Sequence, residues 1–286
     1  MRLRAIIALP LLIACLALPG RASAVGDPGV AALQVALRGH GVYAGTIDGV
    51  VGPQTRAAVM RFQRRRGLLV DGIAGRHTRH ALGRLGRPTL GHRALRTGAV
   101  GWDVASLQFL LGWHGFPCGT VDGGFGSHTR AAVMRFQRWA RLRVDGVAGP
   151  ATVSRLRGPP PRSPLTFVRP LRAPLGDRFG PRGNSFHPGI DFPAPSGRHV
   201  YAGRSGRVLH AGWNNGGYGL LVVLVHTSGV RSMYAHLSSI AVRPGQRVRT
   251  GSLLGRVGST GFATGPHLHF ELRLRGAAVN PLPALR

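Results

Sequence analysis

The sequence contains no lysine, a single glutamate and only two cysteines among its 286 residues. Nine acidic residues face 38 arginines, so the formal net charge is +29. A charge of this size attracts polyanions strongly, with little specificity and with a marked dependence on salt. We attribute the replacement of lysine by arginine to coding bias, and not to a code for phosphate recognition.

Long apolar runs are also lacking, since the one near the N-terminus is shorter than the roughly 20 residues that a membrane-spanning helix needs. It extends from Ala5 to Leu18, between Met1-Arg-Leu-Arg4 and Ala22-Ser-Ala24. A basic start, a short apolar core and a small-x-small cleavage site predict a secretory signal peptide at residues 1–24. Leu12-Ile-Ala-Cys15 also fits a lipobox, so a lipid anchor at Cys15 is the alternative.

Two copies of one segment follow, in register without a gap: Leu33 matches Leu107 and Leu82 matches Leu156, an offset of 74 in both cases. The strongest block, TRAAVMRFQ, begins at Thr55 and again at Thr129. Its apolar residues recur at helical spacing, which predicts that Ala58, Val59 and Phe62 face a small core. Gly-and-Asp turns precede this helix and lead to a third short helix. Two copies are too few for a solenoid. We therefore predict two separate three-helix domains, at residues 25–88 and 89–158.

Cys118 lies in the second copy, and loss of Cys15 with the signal peptide would leave it as the only cysteine. It then has no partner for an intramolecular disulfide, so the fold must be stable without one. A catalytic thiol is disfavoured because the first copy has Ala44 at the same position. We interpret Cys118 as a loop cysteine.

Proline-rich residues 159–165 predict a stiff, extended linker that separates the helical domains from a third domain at residues 166–286. In this third domain, short runs rich in β-branched and aromatic residues are separated by glycine turns, which predicts a mainly antiparallel β fold. The clearest runs are His199–Ala202, Gly206–His210, Leu220–Val225 and Ser232–His236.

Two short motifs in this domain offer three ligands for one divalent metal ion: His187-Pro-Gly-Ile-Asp191 and His267-Leu-His269. Pro188 and Gly189 disfavour a helix, so the first motif is a loop that enters a strand. In a strand, His267, His269 and Glu271 would share one face while Leu268 and Phe270 enter the core. Zinc takes imidazole and carboxylate ligands and leaves a position for water at catalytic sites. The motifs predict a metal-dependent hydrolase.

Glu271 is either an acceptor that orients an imidazole or a surface ion-pair partner of an arginine.

Residues 177–281 resemble the M23 family of zinc metallopeptidases, the lysostaphin- and LytM-type peptidoglycan endopeptidases. The matching stretches occur in the family's order: Arg178–Arg182, His187–Phe192, Val200–Gly203, Gly217–Gly219, Tyr234–Leu237, Val257–Gly261 and Thr264–Glu271. The resemblance implies one zinc ion bound by His187, Asp191 and His269, with His236 and His267 as catalytic histidines that do not bind the metal. Leu220 stands where the family often has Asn, and Ser232 where Thr is common; both departures concern local packing or substrate fit.

Each helical copy resembles the PG_binding_1 family of peptidoglycan-binding domains, over residues 26–85 and 95–158, through its LQ, DGxxG, TxxAVxxFQ and VDG elements. Together the resemblances imply a secreted zinc endopeptidase that cleaves peptide cross-links of peptidoglycan and is held on the wall by two repeats. The alternative is a non-catalytic wall-binding scaffold, or an activator of another hydrolase. Repeats that act only as spacers remain a further alternative.

The expected partners are peptidoglycan and anionic wall polymers. Specific nucleic-acid binding is disfavoured by the export signal and by the lack of a recognised nucleic-acid fold. The sequence leaves open which cross-link is cleaved, whether His236 or His267 is the general base, and the oligomeric state.

Overall fold

The computed structural model describes residues 25–286, so the predicted signal peptide and Cys15 lie outside the described residues. Residues 25–158 form six α-helices: α1 (Pro28–Gly39), α2 (Pro53–Arg65), α3 (Arg76–Ala81), α4 (Trp102–Trp113), α5 (Ser127–Ala140) and α6 (Pro150–Leu156). The prediction of two all-α, three-helix repeats is confirmed, and α4 begins and ends 74 residues after α1. None of the helices in the described part of the chain could cross a bilayer.

Buried glutamines stabilise the Asp-Gly turns of each repeat. Gln34 Nε2 donates to Asp48 Oδ1 at 2.7 Å, and Gln34 Oε1 accepts from the Gly49 N–H at 2.9 Å. Gln108 makes the equivalent bonds in the second repeat. The glutamines that end the two TxxAVxxFQ blocks, Gln63 and Gln137, make the same pair of hydrogen bonds to the next Asp-Gly turn of their repeat. A buried amide must be hydrogen-bonded, so these motif residues maintain the fold.

The predicted core of the first repeat is confirmed, because Ala58, Val59 and Phe62 are all buried. The two repeats are not separate bodies, however. Helix α1 packs along α4, and Ser106 Oγ donates to the Pro28 carbonyl at 2.9 Å. Every residue of α4 is buried. This helix is apolar on almost all sides, so it has to be covered by neighbours on all sides.

Residues 166–286 form the predicted antiparallel β domain. Its strands are β1 (Gly180–Arg182), β2 (Ser185–His187), β3 (Ile190–Pro193), β4 (His199–Tyr201), β5 (Gly206–Asn214), β6 (Gly219–Val225), β7 (Val230–Ile240), β8 (Arg247–Val248), β9 (Leu253–Val257), β10 (His267–Leu274) and β11 (Ala277–Val279). The main sheet has the order β11-β10-β7-β6-β5-β8, with β3 paired to β10 and with β9 paired to both β4 and β7. Strands β1 and β2 form a separate hairpin.

The proline-rich linker does not hold the repeats away from the β domain, in contrast to the expectation for residues 159–165. Trp113, the last residue of α4, packs against Phe186 in the β1–β2 hairpin with ring centroids 5.5 Å apart. Trp139 Nε1 donates to the Leu274 carbonyl in β10 at 3.1 Å. The stiffness of a linker follows from its own composition, whereas these two contacts depend on side chains that lie far from the linker in the sequence.

Candidate metal centre

Three strands bring together the residues of the two histidine motifs. His187 is the last residue of β2, Asp191 lies in β3 and His269 lies in β10. Strands β3 and β10 are antiparallel, and their register places Asp191 directly opposite His269. Leu268 and Phe270 point into the core and are fully buried, as the strand alternation predicts.

The side chains of His187, Asp191 and His269 converge on a small volume. His187 Nε2 lies 3.0 Å from His269 Nδ1 and 3.2 Å from Asp191 Oδ1, and His269 Nδ1 lies 2.7 Å from Asp191 Oδ1. Ligand atoms about 2.0–2.1 Å from a tetrahedral zinc ion are themselves roughly 3.3 Å apart. The three groups therefore fit one zinc ion after small adjustments. Within residues 25–286, they are the only cluster of this kind.

Hydrogen bonds from the far side of each ring orient the two imidazoles. His187 Nδ1 lies 3.0 Å from the Arg178 carbonyl, and His269 Nε2 lies 3.0 Å from Glu271 Oε1. Because the carbonyl and the carboxylate can only accept, the outer nitrogen of each ring carries the proton. The inner nitrogens, Nε2 of His187 and Nδ1 of His269, are then the two that face the position of a metal ion.

Glu271 is fully buried and connects His269 to two further residues. Its Oε1 accepts from the Tyr218 hydroxyl at 2.7 Å, and its Oε2 accepts from Arg273 Nε at 2.7 Å. Burial by itself raises the pKa of the Glu271 carboxyl, but the Arg273 charge and the His269 hydrogen bond outweigh it and lower the pKa to about 2. The two interpretations of Glu271 thus combine: it orients an imidazole and also pairs with an arginine, in the interior of the domain.

The carboxylates around His269 raise the pKa of its imidazole. Burial alone lowers the pKa of its imidazole, but hydrogen bonds to Asp191 and Glu271 outweigh burial and raise the pKa to about 9. Burial likewise raises the pKa of Asp191, but the hydrogen bonds from His187 and His269 prevail and hold it well below its usual range. Without a metal ion, His269 therefore keeps a proton between two carboxylates. Metal binding must displace this proton.

Two more histidines border the cluster. The ring centroid of His236 lies 4.8 Å from that of His267 and 5.8 Å from that of His269, and His267 Nε2 lies 3.8 Å from Asp191 Oδ1. Nδ1 of His236 bonds to the Thr260 carbonyl at 2.7 Å. Nδ1 of His267 bonds to the Gly265 carbonyl at 2.8 Å. In both rings Nε2 is left free to accept a proton.

His236 lies at an irregular point of β7. Its φ is 60°, in the left-handed region that is costly for a residue with a Cβ. Its N–H donates to the Tyr218 carbonyl at 2.9 Å, and the pairing of β7 with β9 shifts register just after it. Such irregularities re-aim a side chain. Burial and the neighbouring His267 and His269 lower the pKa of His236, so it is neutral at neutral pH.

The five histidine and aspartate residues line an open groove with a volume of about 770 Å³. Arg182 lies on one wall, with Nη1 3.1 Å from Asp177 Oδ2 and 3.8 Å from Asp191 Oδ2. Phe262 lies on the rim, 89% exposed. An open groove admits an extended chain more readily than a small enclosed ligand.

Four residues near the cluster had no role in the sequence analysis: Tyr218, Arg273, Arg182 and Phe262. Tyr218 occurs in the GYG stretch, which signalled a resemblance without indicating a contact. Burial raises its pKa, so its hydroxyl keeps the proton that it donates to Glu271. Arg273 lies two residues after Glu271 and therefore on the same strand face, a signal that strand alternation could have provided.

Cys118 lies away from this groove. It is buried in the core of the second repeat. Burial raises the pKa of its thiol to about 11. A thiol with such a pKa carries little thiolate, so a nucleophilic role is disfavoured on physical grounds as well.

Two histidines and an aspartate that could hold one metal ion lie together in an antiparallel β domain, an arrangement that suits a metallopeptidase. Residues 185–281 match the family described as Peptidase family M23, and residues 26–82 and 101–156 match the family described as a peptidoglycan binding domain. The chain belongs to peptidase family M23 through its β domain and carries two peptidoglycan-binding family domains before it.

Two curated relatives each match less than half of this chain. A DD-carboxypeptidase/endopeptidase, Mpg, of Neisseria meningitidis is 44% identical over 121 residues, which are 42% of this chain and 27% of Mpg. Murein hydrolase activator EnvC of Escherichia coli is 41% identical over 118 residues, 41% of this chain and 28% of EnvC. The chain thus matches only about a quarter of the length of these relatives.

Among solved structures, the catalytic domain of the antimicrobial peptidase lysostaphin from Staphylococcus simulans is 37% identical. The match covers 39% of this chain and 90% of that domain, with a TM-score of 0.37.

Proposed function

We propose that the β domain is a zinc-dependent endopeptidase that hydrolyses peptide cross-links of bacterial peptidoglycan, with zinc held by His187, Asp191 and His269. The observation that carries this proposal is the convergence of the three ligand atoms, with no pair more than 3.2 Å apart. Zinc bound there supplies a Lewis acid that polarises a peptide carbonyl and activates water.

His236 and His267 perform the proton transfers in this proposal. Their Nδ1 atoms are held by carbonyls, so their Nε2 atoms face the groove as proton acceptors. A neutral imidazole can take a proton from the attacking water and return it to the leaving amine. Once protonated, it also stabilises the oxyanion that forms at the carbonyl. We assign these tasks to the two histidines jointly.

The groove and the repeats support a polymeric wall substrate. The groove is open along its length, which suits a peptide stem or bridge held within a network. The two N-terminal repeats belong to a peptidoglycan-binding family, so we propose that they hold the enzyme on the wall. Mpg is named an endopeptidase and lysostaphin an antimicrobial peptidase, in keeping with peptide-bond cleavage here. A substrate in the cell wall implies that the protein is extracytoplasmic and is exported by the predicted signal peptide.

Anionic wall polymers are the second proposed partner, and a basic groove formed mainly by the first repeat supports them. It has a volume of about 820 Å³. Its basic lining residues are Arg76, His77, Arg79, His80, Arg87 and His92. No carboxylate in residues 25–286 forms an ion pair with any of them. Unpaired guanidinium groups bind phosphate and carboxylate well.

A non-catalytic activator of another wall hydrolase is the second candidate function. The similarity to EnvC, which is named a murein hydrolase activator, favours it. An activator has no chemical need for two metal-binding imidazoles, a ligand carboxylate and two further histidines with free Nε2 atoms. The peptidase is therefore the better supported candidate.

Purified full-length protein tests the two candidates through its zinc content and its release of peptides from purified sacculi. We expect about one zinc ion per chain and loss of both zinc and cleavage in His269→Ala, because His269 contributes one of three ligands. His199→Ala is the matched control, since His199 is exposed and lies outside the groove. Zinc-free wild-type protein that still activates another hydrolase would establish the second candidate.

A further inference from the structure

The second repeat differs from the first at positions that contact the β domain. At the end of the first helix and of the second helix, polar or small residues of the first repeat are replaced. The second repeat has Gly112 where the first has Arg38, Trp113 where the first has Gly39, and Trp139 where the first has Arg65. Each of the three residues of the second repeat lies against one of two β-hairpins.

The first contact is with the β1–β2 hairpin. The Trp113 ring meets Phe179 and Phe186 edge to face, with centroids 6.1 and 5.5 Å away. Gly112 allows this approach, because a Cβ there would lie 2.7 Å from the Phe186 ring. The arginine that the first repeat carries at this position would push the hairpin away.

Both repeats also bind the tip of this hairpin through their backbones. The Ile47 N–H donates to the Gly183 carbonyl at 2.8 Å, and the Val121 N–H donates to the Asn184 carbonyl at 2.8 Å. Ile47 and Val121 are equivalent positions of the two repeats, 74 residues apart. Two equivalent donors therefore hold two consecutive carbonyls, and the strand that follows ends at His187.

The second contact is with the β10–β11 hairpin. Trp139 Nε1 donates to the Leu274 carbonyl, and the Ala278 N–H donates to the Gly115 carbonyl at 3.2 Å. Ala277, between these two contacts, is buried in the core of the second repeat. Strand β10 carries His269, so each hairpin held by the second repeat also carries one of the two imidazoles of the metal cluster.

We propose that the second repeat is a docking domain for the β domain: by holding both hairpins it positions His187 and His269 for metal binding. The inference rests on the proposed zinc site. Nε2 of His187 and Nδ1 of His269 lie 3.0 Å apart only while the two hairpins keep their relative position. When the ligand side chains are already held in place, metal binding does not have to order them, so the affinity for the metal is higher. Trp113, Gly112 and Trp139 are thus positioning residues.

The test exchanges residues between the repeats in the full-length protein. Gly112→Arg/Trp113→Gly gives the second repeat the residues of the first and releases β1–β2, and Trp139→Arg releases β10–β11 in the same way. We expect zinc affinity, measured by competition with a chelator, to fall by about tenfold or more. Amides of residues 180–187 should exchange hydrogen faster in the metal-free variant, while α4–α6 stay protected.

Val133→Ala is the matched control, because Val133 is buried in the core of the second repeat and takes no part in the aromatic and hydrogen-bond contacts with the two hairpins. This change loosens the repeat without touching the docking surface, so zinc affinity should be unchanged. Wild-type affinity and exchange in both docking variants would overturn the proposal. So would an equal loss of affinity in Val133→Ala, which would reveal a general effect of stability. If the wild type binds no zinc, the proposed function fails, while the exchange of residues 180–187 still decides whether the repeat docks.

Discussion

Asp191 Oδ1 lies 2.7 Å from His269 Nδ1, because the two residues stand opposite each other across the antiparallel pair β3–β10. A shift of one residue in this register would turn one of the side chains to the other face of the sheet. The register is fixed by Phe192 and Phe270, which are fully buried on the core face. The geometry of the metal cluster is therefore set by hydrophobic packing on the opposite side of the same strands.

We expect Glu271→Gln to weaken zinc binding by about 10–100-fold, since the outer hydrogen-bond partner of a ligating histidine orients it and increases its basicity. The change also leaves the half-buried Arg273 guanidinium without its counter-charge. Loss of one partner of such a pair costs on the order of 3 kcal/mol in the free energy of unfolding. Chelator competition and thermal unfolding measure the two effects. Glu271→Gln/Arg273→Met separates them, because it removes the unpaired charge. Unchanged zinc affinity in both variants would show that His269 is held by other contacts.

Zinc affinity should rise with pH by about tenfold per unit from neutral pH up to about 9, and then level off. The reason is that His269, with a pKa of about 9 in the metal-free protein, must lose its proton when zinc binds. Calorimetry at pH 7 in buffers of different ionisation enthalpy should count about one proton released from this residue per zinc ion. Release of no proton would mean that the imidazole is already neutral.

The raised pKa of His269 also makes the free energy of unfolding of the metal-free protein depend on pH. Protonated His269 stabilises the fold fully below the unfolded pKa of about 6.5. This contribution is lost as the pH rises through about 9, the folded pKa. Unfolding of the metal-free protein should therefore become easier between pH 6.5 and 9, a trend that zinc removes.

Local patterns predicted much of the candidate site. Strand alternation placed His267, His269 and Glu271 on one face and Phe270 in the core, because side-chain direction in a strand depends only on sequence spacing. Pro188 and Gly189 marked the loop before β3 correctly. The constant offset of the repeats predicted two matching sets of three helices, because the same buried glutamines and turns recur in both.

Contacts between distant segments could not be predicted in this way. The bond from His187 to the Arg178 carbonyl and the bond from Tyr218 to Glu271 depend on how strands align in three dimensions. The packing of Trp113 against Phe186 contradicted the expectation of separated domains. A proline-rich linker restricts only its own backbone, and the domains on either side can still meet if their surfaces are complementary.

His236→Gly and His236→Ala should both lose more than about 100-fold in cleavage of sacculi while keeping their zinc, since each removes a proton acceptor and no ligand. Their stabilities should differ. At a φ of 60°, glycine avoids a penalty of about 1 kcal/mol or more that alanine retains. Thermal unfolding should therefore rank the glycine variant above the alanine variant. The reverse order would indicate that the backbone at this position changes once the imidazole is removed.

Adsorption to anionic wall polymers should depend on the basic groove of the first repeat more than on arginine content as such. Arg76→Pro/Arg79→Val takes its residues from the same positions of the second repeat, Pro150 and Val153, where a helix forms with them. Proline is also acceptable at Arg76 because this is the first residue of α3. We expect weaker sedimentation with a phosphate-rich wall fraction, and a plot of log affinity against log salt that is less steep by up to about 2.

Arg243→Ser/Arg249→Ser is the control for charge alone, because it removes two exposed arginines from the β domain and leaves the groove intact. If attraction to the wall came only from net charge, both double variants would lose the same affinity. A specific groove predicts a larger loss in the α3 variant, because a polymer phosphate can contact several guanidinium groups there at once. Equal losses would reduce the groove to one part of a uniformly basic surface.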